Sequence, residues 1–386
     1  INAYLEYAEY CPNSWFKNYM QDLVSNIRAG GNLLRFTQEK LDDAVDRFQH
    51  DVQSRAELLA ILSGASMLLY ATLPLVILSM ALMFVSLGGA GQAEELITTA
   101  YILLAASALF IPIGEIVKPS FEYRVDNDLR LVGLSVALPM TTIVAGWLLQ
   151  VPFNLLLYLA LIGLGTPLMV MFLRADRMNM AALTGATRFL FDLQERIRYG
   201  LPLMVAVSRL SERSYSKPFD NLLRQFTSNL KLLGVEPAFD SLYTQARNEY
   251  LRKIFNLIAF THRSGTEDPS VYFTFNQFFR KIVGSIQTFR RTSLTYSLVA
   301  AMGVAVMLIG ISSLLGGVSQ LQLLGAAQAA AINSIVDHVK LLIPTLSFAS
   351  GSLAGYFSTG KIIGAFREGT ILTAFALGFG FVLHVV

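Results

Sequence analysis

The chain has 386 residues, of which 54% are hydrophobic and 15% are charged, with a formal net charge of +3 and a mean hydropathy of +0.51. This balance is too apolar for a soluble protein of this size and indicates a membrane protein. The single cysteine, Cys11, excludes an internal disulfide framework, and the scattered histidines show no metal-ligand spacing. No cofactor is expected.

The first 56 residues form the beginning of the predicted cytoplasmic part. They carry neither the basic stretch nor the small-residue cleavage site of a signal peptide, so we expect a fragment whose natural N-terminus lies further upstream. Gly30 separates two amphipathic runs, and the second run leads directly into an apolar stretch. Residues 1–56 are therefore predicted to be a partial helical domain followed by membrane spans.

Seven apolar stretches approach the roughly 20 residues that a helix needs to cross a bilayer. Four lie within residues 57–173 and three within residues 293–386. Their approximate limits are 58–86, 97–117, 129–150, 152–173, 294–316, 339–358 and 369–386.

The distribution of Lys and Arg supports this number of spans, because cytoplasmic loops near spans are enriched in them. Twenty-nine of the 30 basic residues fall in residues 1–56, 118–130, 174–292 and 359–368, and only Lys340 lies at an outer edge. Seven spans with a cytoplasmic N-terminus and an outside C-terminus satisfy every loop. The chain is therefore expected to be a multi-pass protein of the cell membrane, cytoplasmic or inner.

Residues 174–292 are long, polar and bounded by spans, which predicts a separate cytoplasmic domain. Gly200, Gly234 and Gly265 each follow one amphipathic run and precede another, as C-cap glycines of helical hairpins do. Their spacing leaves room for two helices of about 14 residues in each unit. The fold class is therefore predicted to be all-α, with a six-helix antiparallel bundle in the cytoplasm.

The N-terminal domain resembles the last third of this bundle. Residues 13–17 align with 248–252, and Arg28-Ala-Gly30 aligns with Arg263-Ser-Gly265, both at an offset of 235. The apolar stripe that follows, Leu41, Val45, Phe48 and Val52, has the same 4, 3, 4 spacing as Phe275, Phe279, Ile282 and Ile286. An internal duplication explains these matches. The alternative is that any two amphipathic helices before a span look alike.

These residues resemble the F-domain membrane proteins of type II secretion, type IV pilus and archaellum machines. The resemblance is carried by residues 189–206, by residues 230–242 around Gly234, and by the Arg263-Ser-Gly265 turn. The glycine-studded tail, residues 351–369, is similar to the last spans of the archaeal members. Bacterial members commonly have three spans in all, so the larger number here favours the archaeal type with two F domains.

The resemblance implies a membrane platform with no catalytic activity of its own. Such a platform couples a cytoplasmic hexameric assembly ATPase to the insertion of pilin-like subunits into a filament. It also implies contact with membrane lipids and a homo-oligomer, plausibly a dimer or trimer. Archaellum, adhesive pilus and secretion system remain open alternatives.

The residues expected to matter are therefore structural ones. Gly30, Gly200, Gly234 and Gly265 are assigned to hairpin turns, Arg196, Arg198, Arg252 and Arg263 are candidate partner contacts, and Gly351 and Gly355 are candidates for close span packing. The basic surplus of residues 174–292 fits anionic lipid, an acidic partner or plain solvated surface. Because this surplus follows the predicted membrane topology, a nucleic-acid partner is not expected.

Motifs for other chemistry are weak. Residues 355–361 spell G-x-x-x-x-G-K, but Ile362 replaces the hydroxyl residue that a phosphate-binding loop requires, and the stretch ends an apolar helix. No catalytic triad order or zinc-protease motif occurs in the sequence. The main rival is a transporter or channel, which the absence of charges in the middle of the predicted spans disfavours. A passive scaffold without an ATPase is the third possibility.

Overall fold

The computed structural model describes residues 14–106, 109–118, 128–265, 268–321 and 326–383, together with Glu6, Tyr10 and Val125. The described chain is helical, and no strand occurs in these ranges. Its helices are α1 (Ser14–Arg28), α2 (Leu33–Met67), α3 (Leu73–Ser86), α4 (Ala90–Ala106), α5 (Phe110–Val117), α6 (Leu129–Leu148), α7 (Phe153–Arg198), α8 (Leu203–Leu210), α9 (Lys217–Leu233), α10 (Val235–Gln245), α11 (Glu249–Arg263), α12 (Pro269–Leu321), α13 (Ala326–Thr359) and α14 (Ile362–Val382). A π-helical turn, Leu68–Thr72, joins α2 to α3.

Five helical stretches among the described residues are long and apolar enough to span a membrane. They are Arg35–Ser86, Leu129–Leu148, Phe153–Arg198, Pro269–Gly317 and Ile362–Val382. These stretches are consistent with a membrane protein, as the composition predicts. The count of seven spans is not confirmed.

The two remaining predicted spans differ from the five for physical reasons. The stretch predicted at 97–117 falls on two helices, α4 and the eight-residue α5, and neither is long enough alone. The stretch predicted at 339–358 lies within α13, where serines and glycines dilute the apolar residues. Because α13 contacts seven other α-helices and also the π-helical turn, protein surrounds much of it, and small residues suit such an interior position.

Two helices pass from the apolar layer into a polar bundle without a break. Helix α7 has 46 residues and α12 has 53. At a rise of 1.5 Å per residue, they are about 70 and 80 Å long. Both contain a strongly apolar window and also contribute side chains to the bundle core. The apolar layer and the bundle therefore share two of their helices.

The bundle core is lined by six helical segments, namely the C-terminal part of α7, α8 to α11, and the N-terminal part of α12. Aromatic side chains fill its middle. Phe219 of α9 stacks on Phe255 of α11 with ring centroids 6.2 Å apart, and Phe189 of α7 lies 5.4 Å from Phe219. Burying such rings stabilises a fold by several kcal/mol in total, at about 25 cal/mol per Å² of apolar surface.

Helix boundaries in the first part of the chain, from α1 to α6, recur in its last part, from α11 to α14. Helix α1 (Ser14–Arg28) and helix α11 (Glu249–Arg263) both have 15 residues and differ by 235 at each end. The stretch from α2 to α3 spans residues 33–86, and α12 spans Pro269–Leu321. Helices α6 and α14 lie 233 to 234 residues apart. The repeat therefore extends into the apolar helices, beyond the polar segments for which the sequence indicated it. Helices α7 to α10 lie between these two sets of matching helices.

The two copies meet where equivalent helices, α2 and α12, pack together. Lys281 Nζ lies 3.5 Å from Asp42 and 3.7 Å from Asp46. The Tyr296 hydroxyl donates a hydrogen bond to the backbone carbonyl of Ala56. Phe48 packs against both the bundle core and the core of the apolar helices. Because Asp42 and Ala56 follow the same order along α2 as Lys281 and Tyr296 along α12, the two helices run in the same direction.

Candidate functional site

The four glycines assigned to hairpin turns all have positive φ angles. The values are +68° for Gly30, +78° for Gly200, +88° for Gly234 and +65° for Gly265. At Gly200, the N–H of Leu201 bonds to the carbonyl of Arg196 at 3.2 Å and the N–H of Gly200 bonds to that of Ile197 at 2.8 Å. This pattern is a Schellman cap, which closes the end of α7.

Gly234 is the most constrained of the four. Gly234 is both the C-cap residue of α9 and the N-cap residue of α10, with φ +88° and ψ −177°. This region of backbone space is essentially restricted to glycine, because any Cβ collides with the backbone there. Glycine at position 234 therefore allows α9 to reverse into α10 without an intervening loop.

The turns lie at the end of the bundle away from the apolar helices. Near the start of α11, Asn248 Nδ2 donates a hydrogen bond to Asn179 Oδ1 of α7, at 2.7 Å, close to where α7 leaves its apolar stretch. At the opposite end of α11, Arg263 pairs with Glu236 at the start of α10. The Gly234 and Gly265 turns are therefore neighbours, and α7 runs a further 19 residues beyond Asn179 before it ends near Gly200.

The four arginines selected as partner contacts are not gathered in one place. Arg263 forms a two-pronged ion pair with Glu236, and this pair lowers the pKa of the Glu236 carboxyl. Arg252 Nε donates to the Ala246 carbonyl at 2.8 Å, and its guanidinium lies over the Tyr243 ring. Both side chains thus make contacts within the bundle, and their assignment as partner contacts stays a prediction. Arg196 is half-buried and Arg198 is exposed at the end of α7.

A polar cleft of about 780 Å³ lies on the side of the bundle, between α7, the 211–216 segment and α12. Three arginines line it, Arg188, Arg213 and Arg280. Its remaining lining consists of Thr184, Thr187, Phe191, Asp192, Ser214, Tyr215, Asn276, Val283, Gly284 and Gln287. None of these residues is among the site residues predicted from the sequence, since they come from three segments and lie up to 103 positions apart.

The charges in this cleft are unevenly compensated. Arg213 donates to Asp192 at 2.8 Å, whereas Arg188 and Arg280 form no ion pair with any residue that the structure describes. At the cleft, Asn276 is only 3% exposed, and its Oδ1 has no hydrogen-bond partner among the described residues. The cleft therefore combines two uncompensated guanidinium groups with a buried polar group that has spare bonding capacity.

One wall of the cleft is fixed by Asp220 of α9. Its carboxylate accepts hydrogen bonds from the backbone N–H groups of Tyr215 and Ser216, at 2.9 and 3.2 Å, and from the Ser214 hydroxyl at 2.9 Å. Burial alone would raise the pKa of Asp220, but these three bonds outweigh it and lower the pKa below its ordinary value. The 211–216 segment is thus held against the start of α9.

Asp192 organises the same wall from the α7 side. It accepts hydrogen bonds from Arg213 and from the Tyr215 hydroxyl, at 2.8 and 2.9 Å. Burial and this bond to Asp192 both raise the pKa of Tyr215, so its hydroxyl stays protonated and keeps donating. The cleft is therefore rigid on one side, and its free guanidinium groups suit carboxylate or phosphate groups, to which arginine binds through two parallel bonds.

Close helix packing occurs at the two glycines selected for it. A Cβ atom on Gly351 would lie 2.5 Å from the Glu368 carbonyl oxygen, and one on Gly355 would lie 2.6 Å from the Gly364 carbonyl oxygen. The backbones of α13 and α14 thus touch along this face. The G-x-x-x-x-G-K stretch is the end of α13 and a turn at Gly360, without the strand of a phosphate-binding loop.

Within the described residues, no group of three or more His, Cys, Asp or Glu side chains could hold a metal ion. Comparisons with protein-family models, with curated proteins and with solved structures find no match to the chain.

Proposed function

We propose that the chain is the membrane platform of a type IV pilus-like, archaellum or type II secretion machine. In this proposal it couples a cytoplasmic hexameric assembly ATPase to the insertion of pilin-like subunits into a filament. The observation that carries the proposal is the continuity of α12, which runs from the bundle into the apolar layer as one helix with no proline after its first residue. A force applied to the bundle therefore reaches the apolar layer through α12 without a flexible joint, whereas α7 contains Pro167, which removes one backbone hydrogen bond within its apolar part.

The proposed topology has seven spans, with a cytoplasmic N-terminus, an outside C-terminus and a location in the cell membrane. The two spans added to the five long apolar stretches are α4 together with α5, and α13. The concentration of Lys and Arg in and around the bundle supports this orientation. Residues 174–292 then form the cytoplasmic domain, and residues 1–56 belong to its first copy.

The proposed partners follow from the charges and surfaces. An acidic surface of the ATPase docks at the cleft, where Arg188 and Arg280 carry uncompensated positive charge. Pilin-like subunits contact the apolar helices, whose exposed large side chains include Trp147 and Met302. The platform is also proposed to be a homo-oligomer, because it lies beneath a helical filament. The chain acts by binding and movement, without catalysing a reaction itself.

The test is affinity purification of the full-length protein from its native membrane, followed by mass spectrometry. Co-purification of a hexameric secretion-type ATPase and of pilin-like proteins is the expected result. The double variant Arg188→Glu, Arg280→Glu should lose the ATPase and keep the lipids. Arg209→Glu, an exposed arginine of α8 outside the cleft, is the matched control and should keep both.

A transporter or channel predicts a different outcome. In that case neither protein class co-purifies, the charge-reversal variant behaves like the control, and reconstituted vesicles show solute flux. Reproducible absence of the ATPase and the pilin-like proteins, together with such flux, would overturn the platform proposal.

A further inference from the structure

A second cavity, of about 190 Å³, lies where the bundle joins the apolar helices. It is formed by α7, α12, the start of α11, the end of α13 and the start of α14. Its lining includes three arginines, Arg290, Arg291 and Arg367, and apolar side chains such as Phe172 and Leu294. The cavity is therefore amphipathic, unlike the polar cleft higher on the bundle.

The cavity lies at the level where the apolar stretches end. In α7 the apolar run stops at Leu173, and Arg174 and Asp176 follow. In α12, Arg290 and Arg291 precede the apolar run that starts at Leu294. A bilayer placed around these helices has its headgroups at this height, so the cavity lies at the boundary between headgroups and acyl chains.

Two of the arginines are held in position by carboxylates. Arg290 forms a two-pronged ion pair with Asp176, with Nη1 2.9 Å from Oδ2. Arg367 pairs with Glu368 at 2.6 Å, and its guanidinium lies 5.6 Å from the centre of the Phe172 ring. These contacts fix the guanidinium groups, which is what a preorganised anion site requires.

The lining as a whole stays positive. Three arginines face the cavity, against Asp176 in the described lining and the buried Glu368 that pairs with Arg367, so one positive charge is in excess. Arg291 lies exposed on the rim, and Leu294, one helical turn further along α12, is 59% exposed. A ligand at this rim thus meets a positive charge and an apolar surface within one turn of helix.

We propose that this cavity binds the phosphodiester headgroup of an anionic phospholipid. The phosphate lies between Arg291 and Arg367, and one acyl chain lies along Leu294. A free phosphate ion would contact only the arginines, because it has no acyl chain to pack against the apolar side chains. Basic pockets between helices at the cytoplasmic membrane surface are suited to such headgroups on electrostatic grounds.

The test is native mass spectrometry of the full-length protein in detergent, titrated separately with phosphatidylglycerol, phosphatidylcholine and inorganic phosphate. Phosphatidylglycerol is expected to stay bound, and Arg291→Gln is expected to weaken its binding about fivefold. Arg367→Gln should weaken the binding of phosphatidylglycerol at least as much, because the substitution also removes the ion pair with Glu368. Its affinity is measured only on the ions of folded protein.

The matched control is Arg177→Gln. Arg177 is exposed on α7 next to Asp176, at the same height but outside the cavity lining. It should change the affinity for phosphatidylglycerol less than twofold. Equal loss in Arg177→Gln and Arg291→Gln, equal retention of phosphatidylcholine, or retention of inorganic phosphate as strong as that of the lipid would each overturn the proposal.

Discussion

Replacing Gly234 by alanine isolates the conformational role of a single glycine. A Cβ added at this position meets nothing within 4 Å, so the substitution introduces no steric clash with other parts of the fold. The backbone, however, has φ +88° and ψ −177°, a conformation that alanine strongly disfavours. Any loss of stability must therefore come from backbone strain at the junction of α9 and α10.

The expected loss is about 2 kcal/mol, within the range of about 1 to 3 kcal/mol for a residue forced into such a region. Gly284 provides the opposite case within the same bundle. It lies inside α12, has no positive φ, and a Cβ there also meets nothing within 4 Å. Gly284→Ala should therefore stabilise the protein by about 0.5 to 1 kcal/mol, through helix propensity alone.

Hydrogen exchange of the full-length protein in detergent measures both effects locally. A loss of 2 kcal/mol corresponds to roughly thirtyfold faster exchange of the protected amides of α9 and α10. Gly284→Ala should slow exchange in the neighbouring part of α12 or leave it unchanged. If both variants exchanged like the wild type, or if both were equally destabilised, backbone strain at Gly234 would not be what shapes the turn.

Two further predictions concern the cleft wall and the apolar layer. Asp220→Ala should lower the free energy of unfolding by about 3 kcal/mol, because three donors lose a buried charged acceptor. Since the folded pKa of Asp220 is lowered, its contribution is complete above the ordinary value of 3.8 and is lost as pH falls through the folded pKa, so denaturant titrations of variant and wild type should converge in acid. Gly351→Val should destabilise the packing of α13 against α14 by about 1 to 3 kcal/mol or more, since its Cβ would lie 2.5 Å from a carbonyl oxygen. Gly378→Val, in the open part of α14, should have a much smaller effect on the thermal aggregation midpoint, and equal effects would contradict the packing argument.

Apolar periodicity and turn residues were sufficient to predict the helical class and the ends of several helices. The glycines at 200, 234 and 265 are separated by amphipathic runs, and α7, α9 and α11 end one or two residues before them. Apolar length similarly predicted α6, whose described range of Leu129–Leu148 lies within two residues of the predicted span. Amphipathic runs between glycines and long apolar stretches are both encoded in short segments of chain, so a single sequence is sufficient to detect them.

What the sequence could not provide is the set of residues that distant segments bring together. Arg188 and Arg280 are 92 positions apart, and neither has a motif around it, so the cleft becomes visible only once α7 and α12 are packed. Conversely, the sequence does not indicate that Arg252 and Arg263 bond within the bundle. Their acceptors, Ala246 and Glu236, lie on the other side of helix turns. Hydrogen-bond partners of arginine follow tertiary contacts, which periodicity does not encode.

The two copies of the repeat are not mechanically equivalent. In the first copy, the π-helical turn Leu68–Thr72 and Pro74 interrupt the hydrogen-bond ladder between α2 and α3. Such a turn and a proline both weaken a helix locally, the proline because it has no N–H to donate. In the second copy, the corresponding part of α12 is continuous α-helix. We therefore expect a displacement of the bundle end of α2 to be absorbed in part at Leu68–Thr72, and the same displacement of α12 to reach the apolar layer. Tyr296 and Lys281 of α12 also bond to α2. The first copy is therefore suited to move with the second, and α12 to transmit the displacement.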